Sequence, residues 1–191
     1  MKMAVSSRLL LLVAGAASIC SIEGVLKAGV SKVNATLPVG VPLGGYSARK
    51  KDLWPIPEPT KYTTWMKPSI GHLTPTWVKA LILSDGSTTF CFVTVDAIGA
   101  GGTLLEMAYD KAAERGFKVP IENVALHGSH THSGPAGITP EFLWEFAPAM
   151  DLVVPQLQEM LATFIADAML EAGEKMQDAS IGIGILTSSK A

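Results

Sequence analysis

The amino-acid sequence predicts an α/β, or mixed α+β, fold that contains a β-α-β unit, a mixed sheet and two main helices. Short apolar or alternating runs bounded by turn residues indicate strands, and two longer segments carry apolar residues at helical spacing. Of the 191 residues, 48% are hydrophobic and only 17% are charged, so the chain can bury a sizeable core. Wholesale disorder is therefore excluded.

The predicted strands begin with Val25–Val33, which alternates loosely. Trp77–Ser84 and Thr88–Val95 flank Asp85-Gly86, a dipeptide typical of hairpin turns, and they predict an antiparallel pair. Val124–Gly128 predicts a further buried strand. A helix lies between these last two strands, and that order normally gives parallel pairing.

The two predicted helices have recognisable ends. Leu104–Arg115 has helical spacing and stops at Gly116, a usual C-terminal residue. Asp151 is the expected N-cap of the second helix, which continues to about Lys175. A last strand is expected over Ala179–Leu186, either as an edge strand or as the beginning of a longer chain.

Two segments are expected to be irregular. Leu37–Tyr46 is rich in Pro and Gly, which lets the backbone approach a ligand or a neighbouring strand closely. Lys50–Pro75 carries five prolines and two tryptophans, and a loop of that length in a compact domain is usually functional or mobile.

Residues 1–20 resemble a secretory signal. Lys2 and Arg8 provide positive charge, Leu9–Val13 is apolar, and small residues follow. This segment predicts a secreted or extracellular protein whose mature part is formed by the remaining residues, 21–191. The apolar run is shorter than the roughly 20 residues that a membrane span needs.

Charge and cysteine content exclude several classes of function. The formal net charge is −2, from 15 basic and 17 acidic residues, which argues against nucleic acid as a partner. Two cysteines cannot form a disulfide scaffold or a cysteine-only zinc cluster. The four histidines are therefore the main candidate metal ligands.

Three of those histidines, His127, His130 and His132, lie together directly after a buried strand. Ligands of open α/β sheets bind beyond the carboxyl ends of strands, so this position indicates a binding or catalytic role for the histidines. If residues 130–132 stay extended, both imidazoles point to one side, roughly 7 Å apart. Both could bind a zinc ion, or one could bind zinc while the other contacts a substrate. A surface loop that happens to contain histidines is the alternative.

The string Ser-His-Thr-His-Ser-Gly-Pro over residues 129–135 resembles the neutral (alkaline, non-lysosomal) ceramidase family. Its members carry His-Thr-His-Ser-Gly-Pro followed by a small residue and Gly, as residues 130–137 do. They also have a Gly-Val segment that leads to a Gly-Tyr loop, here Gly29-Val30 and Gly45-Tyr46, and a strand that ends in Val-Asp, here Val95-Asp96. The resemblance extends from about Gly29 to Lys190, and it implies that residues 21–191 are the N-terminal part of a ceramidase-like catalytic domain.

The resemblance implies a zinc-dependent hydrolase that cleaves the amide of N-acylsphingosine into sphingosine and a fatty acid, with peripheral contact to a membrane surface. By motif position, His130 is similar to a zinc ligand, and His132 to a catalytic residue that contacts the substrate and steadies the oxyanion. Gly45 is similar to a residue of the loop that lines the substrate entrance. His127 and Asp96 are candidates for residues that contact and orient the metal ligand, with a buried structural histidine and a helix cap as their alternatives.

Other polar residues are expected at the surface, and two other functions remain open. His72 and Glu141 match no motif and are interpreted as exposed. Family members are several times longer and supply their other zinc ligands from later segments. The chain could therefore be a catalytically incomplete remnant that binds lipid. A barrel amidohydrolase with His-x-His is a third hypothesis, although that barrel typically needs about 250 residues.

Overall fold

The computed structural model describes residues 26–46, 60–141 and 151–182. The predicted signal segment, residues 1–20, lies outside this part of the chain, as does the second half of the predicted last strand. The domain boundary at residue 21 therefore stays a prediction.

The described residues form one mixed sheet of five strands, in the order β4-β3-β2-β1-β5, and two helices. Strands β3 and β4 pair in parallel, and the other neighbouring strands are antiparallel. The predicted α/β class with a mixed sheet is confirmed. The strands are β1 (Lys27–Asn34), β2 (Trp77–Ser84), β3 (Thr89–Val95), β4 (Val124–Gly128) and β5 (Gln177–Asp178).

The β2–β3 hairpin forms where the sequence predicts it. The Asp85 carboxylate accepts hydrogen bonds from the backbone N–H groups of Ser87, at 2.9 Å, and Thr88, at 2.8 Å. These bonds, with one from the Ser87 hydroxyl, favour the ionised carboxylate and lower the pKa of Asp85. The side chain of Asp85 thus satisfies the backbone of the turn.

The β-α-β unit is confirmed. Helix α1 (Gly102–Glu114) connects β3 to β4 and ends before Gly116, whose φ is +96°. The parallel register runs from Cys91 opposite Val124 to Val95 opposite Gly128. The two strands consequently end side by side, and the loops that follow them are neighbours.

Helix α2 (Pro155–Glu174) begins three residues later than predicted. Its N-cap is Val154. Pro155 occupies the first turn, where backbone N–H groups have no acceptor within the helix, so the missing N–H of proline costs no hydrogen bond. The prediction that Asp151 caps this helix is wrong. Asp151 is buried, and its carboxylate instead accepts backbone hydrogen bonds from Thr64 and Met66.

The core lies between the two helices and one face of the sheet. The Ser31 hydroxyl donates to the carbonyl of Ala168 at 2.7 Å, which ties β1 to α2 at their contact. The opposite face of the sheet keeps Val30, Phe90 and Phe92 exposed. The largest fully buried aliphatic side chains of α2 recur at helical spacing: Leu157, Leu161, Ile165 and Met169.

The remaining segments complete the comparison with the prediction. Residues 60–76 contain no helix and no strand beyond isolated bridges, as expected for an irregular loop. Strand β5 has two residues and pairs with the start of β1. The predicted strand over Ala179–Leu186 is wrong in its described part, because residues 179–182 have no regular structure. Among the described residues, neither helix has the length and apolar character to cross a membrane.

Candidate functional site

The candidate site begins with the loop after β4, residues Ser129–Gly137, called the His loop below. Its first residue is held to the end of β3, because Ser129 N–H donates to the Val95 carbonyl at 2.8 Å. Farther along, a Cβ at Gly134 would lie 2.5 Å from the Asp96 carbonyl oxygen. Only glycine allows this approach, so the His loop lies directly against the loop that follows β3.

A second loop docks against the His loop. This segment, Leu37–Tyr46, is called the Gly-Tyr loop, and it pairs with the His loop through an antiparallel bridge between Leu43 and Pro135. Ala136 N–H donates to the Pro42 carbonyl at 2.8 Å, and Gly44 N–H donates to the Gly134 carbonyl at 3.2 Å. The bridge therefore joins segments about 90 residues apart, and it places Gly45 beside His132.

Gly45 lies directly against the ring of His132. A Cβ at residue 45 would lie 2.5 Å from His132 Cγ, and the φ of Gly45 is +106°. Both the short distance and the left-handed backbone require glycine. The Tyr46 ring meets the His132 ring edge-on, with 4.7 Å between centroids. Gly45 and Tyr46 together orient the imidazole of His132.

His130 adopts an unusual backbone conformation. Its φ is +60°, and no other non-glycine residue in the described ranges has a positive φ. The predicted extended geometry for residues 130–132 is therefore wrong. The two imidazoles still converge, with ring centroids 5.2 Å apart and an interplanar angle of 69°. A left-handed residue is costly, and such residues concentrate at functional sites.

The ring of His130 is also oriented by a hydrogen bond. Its Nδ1 lies 2.8 Å from the Ile98 carbonyl oxygen, in the loop after β3. Because a carbonyl can only accept, Nδ1 carries the proton in this contact, and a neutral ring then has its lone pair on Nε2. Histidines that bind metals commonly donate their other ring N–H to a carbonyl in this way.

His127 and Asp96, the candidates for orienting the metal ligand, contact Thr94 and Trp77 instead of His130. His127 is exposed, not buried, and its Nε2 lies 2.8 Å from the Thr94 hydroxyl on the neighbouring strand. The Ile98 carbonyl, not His127, contacts Nδ1 of His130. The Asp96 carboxylate accepts from Trp77 N–H at 3.0 Å, at the start of β2. Asp96 does not cap α1, whose N-cap is Gly101.

Sequence reasoning missed the structural role of Asp151. This carboxylate is 1% exposed and accepts hydrogen bonds from Thr64 N–H at 2.9 Å and Met66 N–H at 3.0 Å. It anchors an irregular segment whose backbone N–H groups have no neighbouring strand to bond with. An acid shortly before a helix also fits a cap, so the local pattern could not reveal this long-range contact.

Two further polar residues have neighbours in the structure that no sequence motif indicates. Glu141 is half-buried, and its carboxylate accepts from Thr103 N–H, at the N-terminus of α1, at 3.2 Å. His72 is exposed, as expected, but it shares a cavity of about 270 Å³ with Ser133 and Pro135 of the His loop. No motif in the sequence connects residue 72 with this loop.

The described part of the chain contains no group of three or more His, Cys, Asp or Glu side chains that could hold a metal ion. The hydrogen bond from Nδ1 of His130 to the Ile98 carbonyl leaves Nε2 of a neutral ring available as an acceptor. The arrangement as a whole offers two converging imidazoles, one on a strained residue and one held by Gly45 and Tyr46.

Two solved structures share the fold. The chain aligns with the crystal structure of neutral ceramidase from Pseudomonas aeruginosa with a TM-score of 0.64 and 17% identity, over 82% of this chain and 23% of that one. It aligns with a ceramidase complexed with C2 with a TM-score of 0.63 and 17% identity, over 82% of this chain and 22% of the other.

No family model matches the sequence, and a search of curated proteins found no significant match. The chain spans less than a quarter of the length of the two solved structures. At 17% identity the comparison shows that the chain shares its fold with a part of these two structures.

Proposed function

We propose that this chain is the part of a ceramidase-like, zinc-dependent amide hydrolase that provides its histidine site. The observation that supports the proposal most is the convergence of three residues. Gly45, His130 and His132 come from two loops and meet with the imidazoles 5.2 Å apart. They meet in a fold that resembles neutral ceramidases.

In this proposal His130 binds zinc through Nε2. The hydrogen bond from Nδ1 to the Ile98 carbonyl fits that role, because it fixes both the tautomer and the direction of the ring. Catalytic zinc usually has about three protein ligands, so the other ligands would come from outside the described residues. Bound zinc would lower the pKa of a coordinated water and polarise an amide carbonyl.

His132 contacts the substrate in the same proposal. Its imidazole is close to that of His130 and is held between Gly45 and Tyr46, so it can donate to the oxygen that becomes negative as an amide is attacked. Tyr46 is 54% exposed and would border the entrance, beside Gly45.

The proposed substrate is a ceramide-like lipid amide. Both similar structures are ceramidases, and one is a complex with C2. We place the reaction outside the cell, because residues 1–20 have the pattern of a secretory signal.

A matched pair of histidine variants tests the metal assignment. We expect His130→Gln to lose most of the bound zinc and the ceramide hydrolysis of the protein. His127→Gln should keep both, because His127 is exposed and bonded to Thr94. Zinc content is measured by atomic emission, and hydrolysis by release of fatty acid from ceramide. Equal zinc content in His130→Gln and the unmodified protein would contradict the proposal.

The second candidate is a lipid-binding chain without catalysis, because the described residues bring together two imidazoles, fewer than the three protein ligands that a catalytic zinc usually has. The same assays separate the two. Saturable ceramide binding without zinc and without fatty-acid release supports the lipid-binding chain. Zinc together with fatty-acid release supports the hydrolase.

A further inference from the structure

The face of the sheet that lies away from the helices, called the outer face, carries two adjacent rows of apolar side chains. Side chains two residues apart on a strand share a face, and the pairing register places them in line across neighbouring strands. One row contains Val30, Leu81 and Phe92, and the next contains Ala28, Leu83 and Phe90. None of the six is buried, and Val30 is 60% exposed. A contiguous apolar surface of this kind indicates an interaction site.

A basic row borders the apolar rows on the side away from the β2–β3 hairpin. Lys32 and Lys79 lie directly opposite each other on β1 and β2, and like charges in that position repel. The Lys32 ammonium lies 4.0 Å from the centre of the Trp77 ring. The Lys79 ammonium is exposed and has no partner among the described residues. A carboxylate from outside this sheet would therefore relieve the repulsion between the two lysines.

An acidic residue lies at the other border of the apolar rows. Asp85 is exposed and follows Leu83 by two residues, at the end of β2. The turn uses only one of its carboxylate oxygens, because the two N–H groups and the hydroxyl that bond to Asp85 all donate to Oδ1. The other oxygen, Oδ2, can accept from a further donor.

The order of a basic row, two apolar rows and an acid makes the outer face complementary to itself. Consider two copies face to face, with the twofold axis across the strands and level with Ile82. Each apolar row then faces the other apolar row, and Lys79 faces Asp85 of the partner subunit, twice by symmetry. A twofold axis along the strands would instead bring the basic row against itself. Charge therefore selects the arrangement in which the two copies of β2 are antiparallel.

We propose that this chain forms a dimer through the outer face, with antiparallel copies of β2 at its centre and Lys79 paired with Asp85 of the partner subunit. The outer faces of strands β1 to β4 measure roughly 20 by 25 Å. Two such faces bury on the order of 1,000 Å², the lower limit for a specific interface, so the dimer is reversible. The two His loops lie at opposite ends of this dimer, and the inference does not rest on the proposed function.

Analytical ultracentrifugation over a range of protein concentrations tests the proposal. The unmodified protein should change from the mass of one chain to the mass of two as its concentration rises. Phe92→Ser should raise the Kd of the dimer at least about tenfold, because it removes an aromatic side chain from the apolar rows. Leu73→Ser is the matched control. Leu73 is 100% exposed but precedes β2, beyond the point that the partner's hairpin reaches, so its loss should leave the Kd unchanged.

A charge swap tests the antiparallel arrangement itself. Lys79→Glu and Asp85→Lys should each raise the Kd at least about tenfold, because each places like charges opposite each other at two symmetric positions. The double variant K79E/D85K restores opposite charges and should recover most of the lost affinity. Asp85→Lys also loses the hydrogen bonds of the turn, but the double variant shares that loss, so recovery cannot come from the turn. Circular dichroism confirms that each variant is folded.

Three outcomes would overturn the inference. The first is the mass of a single chain at every concentration up to the solubility limit, which would mean that the outer face does not bind a second copy. The second is a dimer that Phe92→Ser leaves intact, which would place the contact elsewhere on the molecule. The third is a K79E/D85K variant that dimerises no better than the two single variants, which would exclude the antiparallel arrangement.

Discussion

The two ends of the sheet differ in the volume of their cavities and in the presence of histidines beside them. At the hairpin end, where β2 turns into β3, lies a cavity of about 710 Å³ lined by Arg115, Phe117 and Met176 among others. At the site end, where β3 and β4 finish, the cavity beside the His loop has about 270 Å³. The larger space contains no histidine, whereas the smaller one adjoins the converging imidazoles.

The backbone explains the difference. The hairpin end is built from regular elements that satisfy their own hydrogen bonds, with one Asx turn at Asp85. The site end is built from loops, which need outside acceptors and special φ angles. It obtains them from Asp151, Gly45 and His130. The site end should therefore be much more sensitive to substitution.

The largest effect is expected for Asp151→Ala. The change leaves the N–H groups of Thr64, Trp65 and Met66 without their acceptor, the last of them buried, and we expect the free energy of unfolding to fall by about 3–5 kcal/mol. The matched change at the hairpin end, Asp85→Ala, removes an acceptor from an exposed turn and should have a far smaller effect. Urea denaturation measures both, and equal losses would contradict the comparison.

Gly45→Ala is expected to have the next largest effect on stability. The new Cβ would overlap the His132 ring, and the positive φ adds strain. We therefore expect the free energy of unfolding to fall by about 2–4 kcal/mol. Gly86→Ala has a similar φ of +90° but open space around the new Cβ, and it should lose only about 1–2 kcal/mol. The difference between the two thermal shifts measures the contact with His132.

The smallest effect concerns Cys91, which tests whether the hairpin end is sealed. Cys91 is buried opposite Ile82, a residue that lines the large cavity. Burial raises the pKa of its thiol to about 12 from an ordinary value of 9.0. In a Cys20→Ser background, native protein at pH 8 should resist iodoacetamide, whereas protein in urea should react. Mass spectrometry counts the labels, and rapid labelling of native protein would show that the cavity opens onto β3.

The same raised pKa sets the sign of a pH effect. Folding favours the neutral thiol, so this contribution to stability is complete below the unfolded pKa near 9. It is lost progressively as pH rises through the range between that value and the folded pKa near 12. Cys91→Ala should reduce the part of alkaline destabilisation that lies in this range.

Local sequence determines the regular part of this protein. Alternation in β2 and β3, the Asp85-Gly86 turn and the stop at Gly116 are short-range patterns, and each is found where it was predicted. The β-α-β order predicts that β3 and β4 are parallel, so their carboxyl ends lie side by side. The same order places the histidines at that edge of the sheet. The start of α2 was predicted too early because an acid resembles a cap whether or not it is one.

Tertiary structure alone decides how the site is assembled. The turn of His130 to a positive φ, the contact of Gly45 with His132 and the burial of Asp151 all depend on segments tens of residues apart. No local pattern predicts such contacts. A loop that pairs with no strand adopts the conformation in which other segments supply hydrogen-bond partners for its backbone. The sequence by itself therefore identified the histidines of the candidate site, and long-range packing decided where their side chains point.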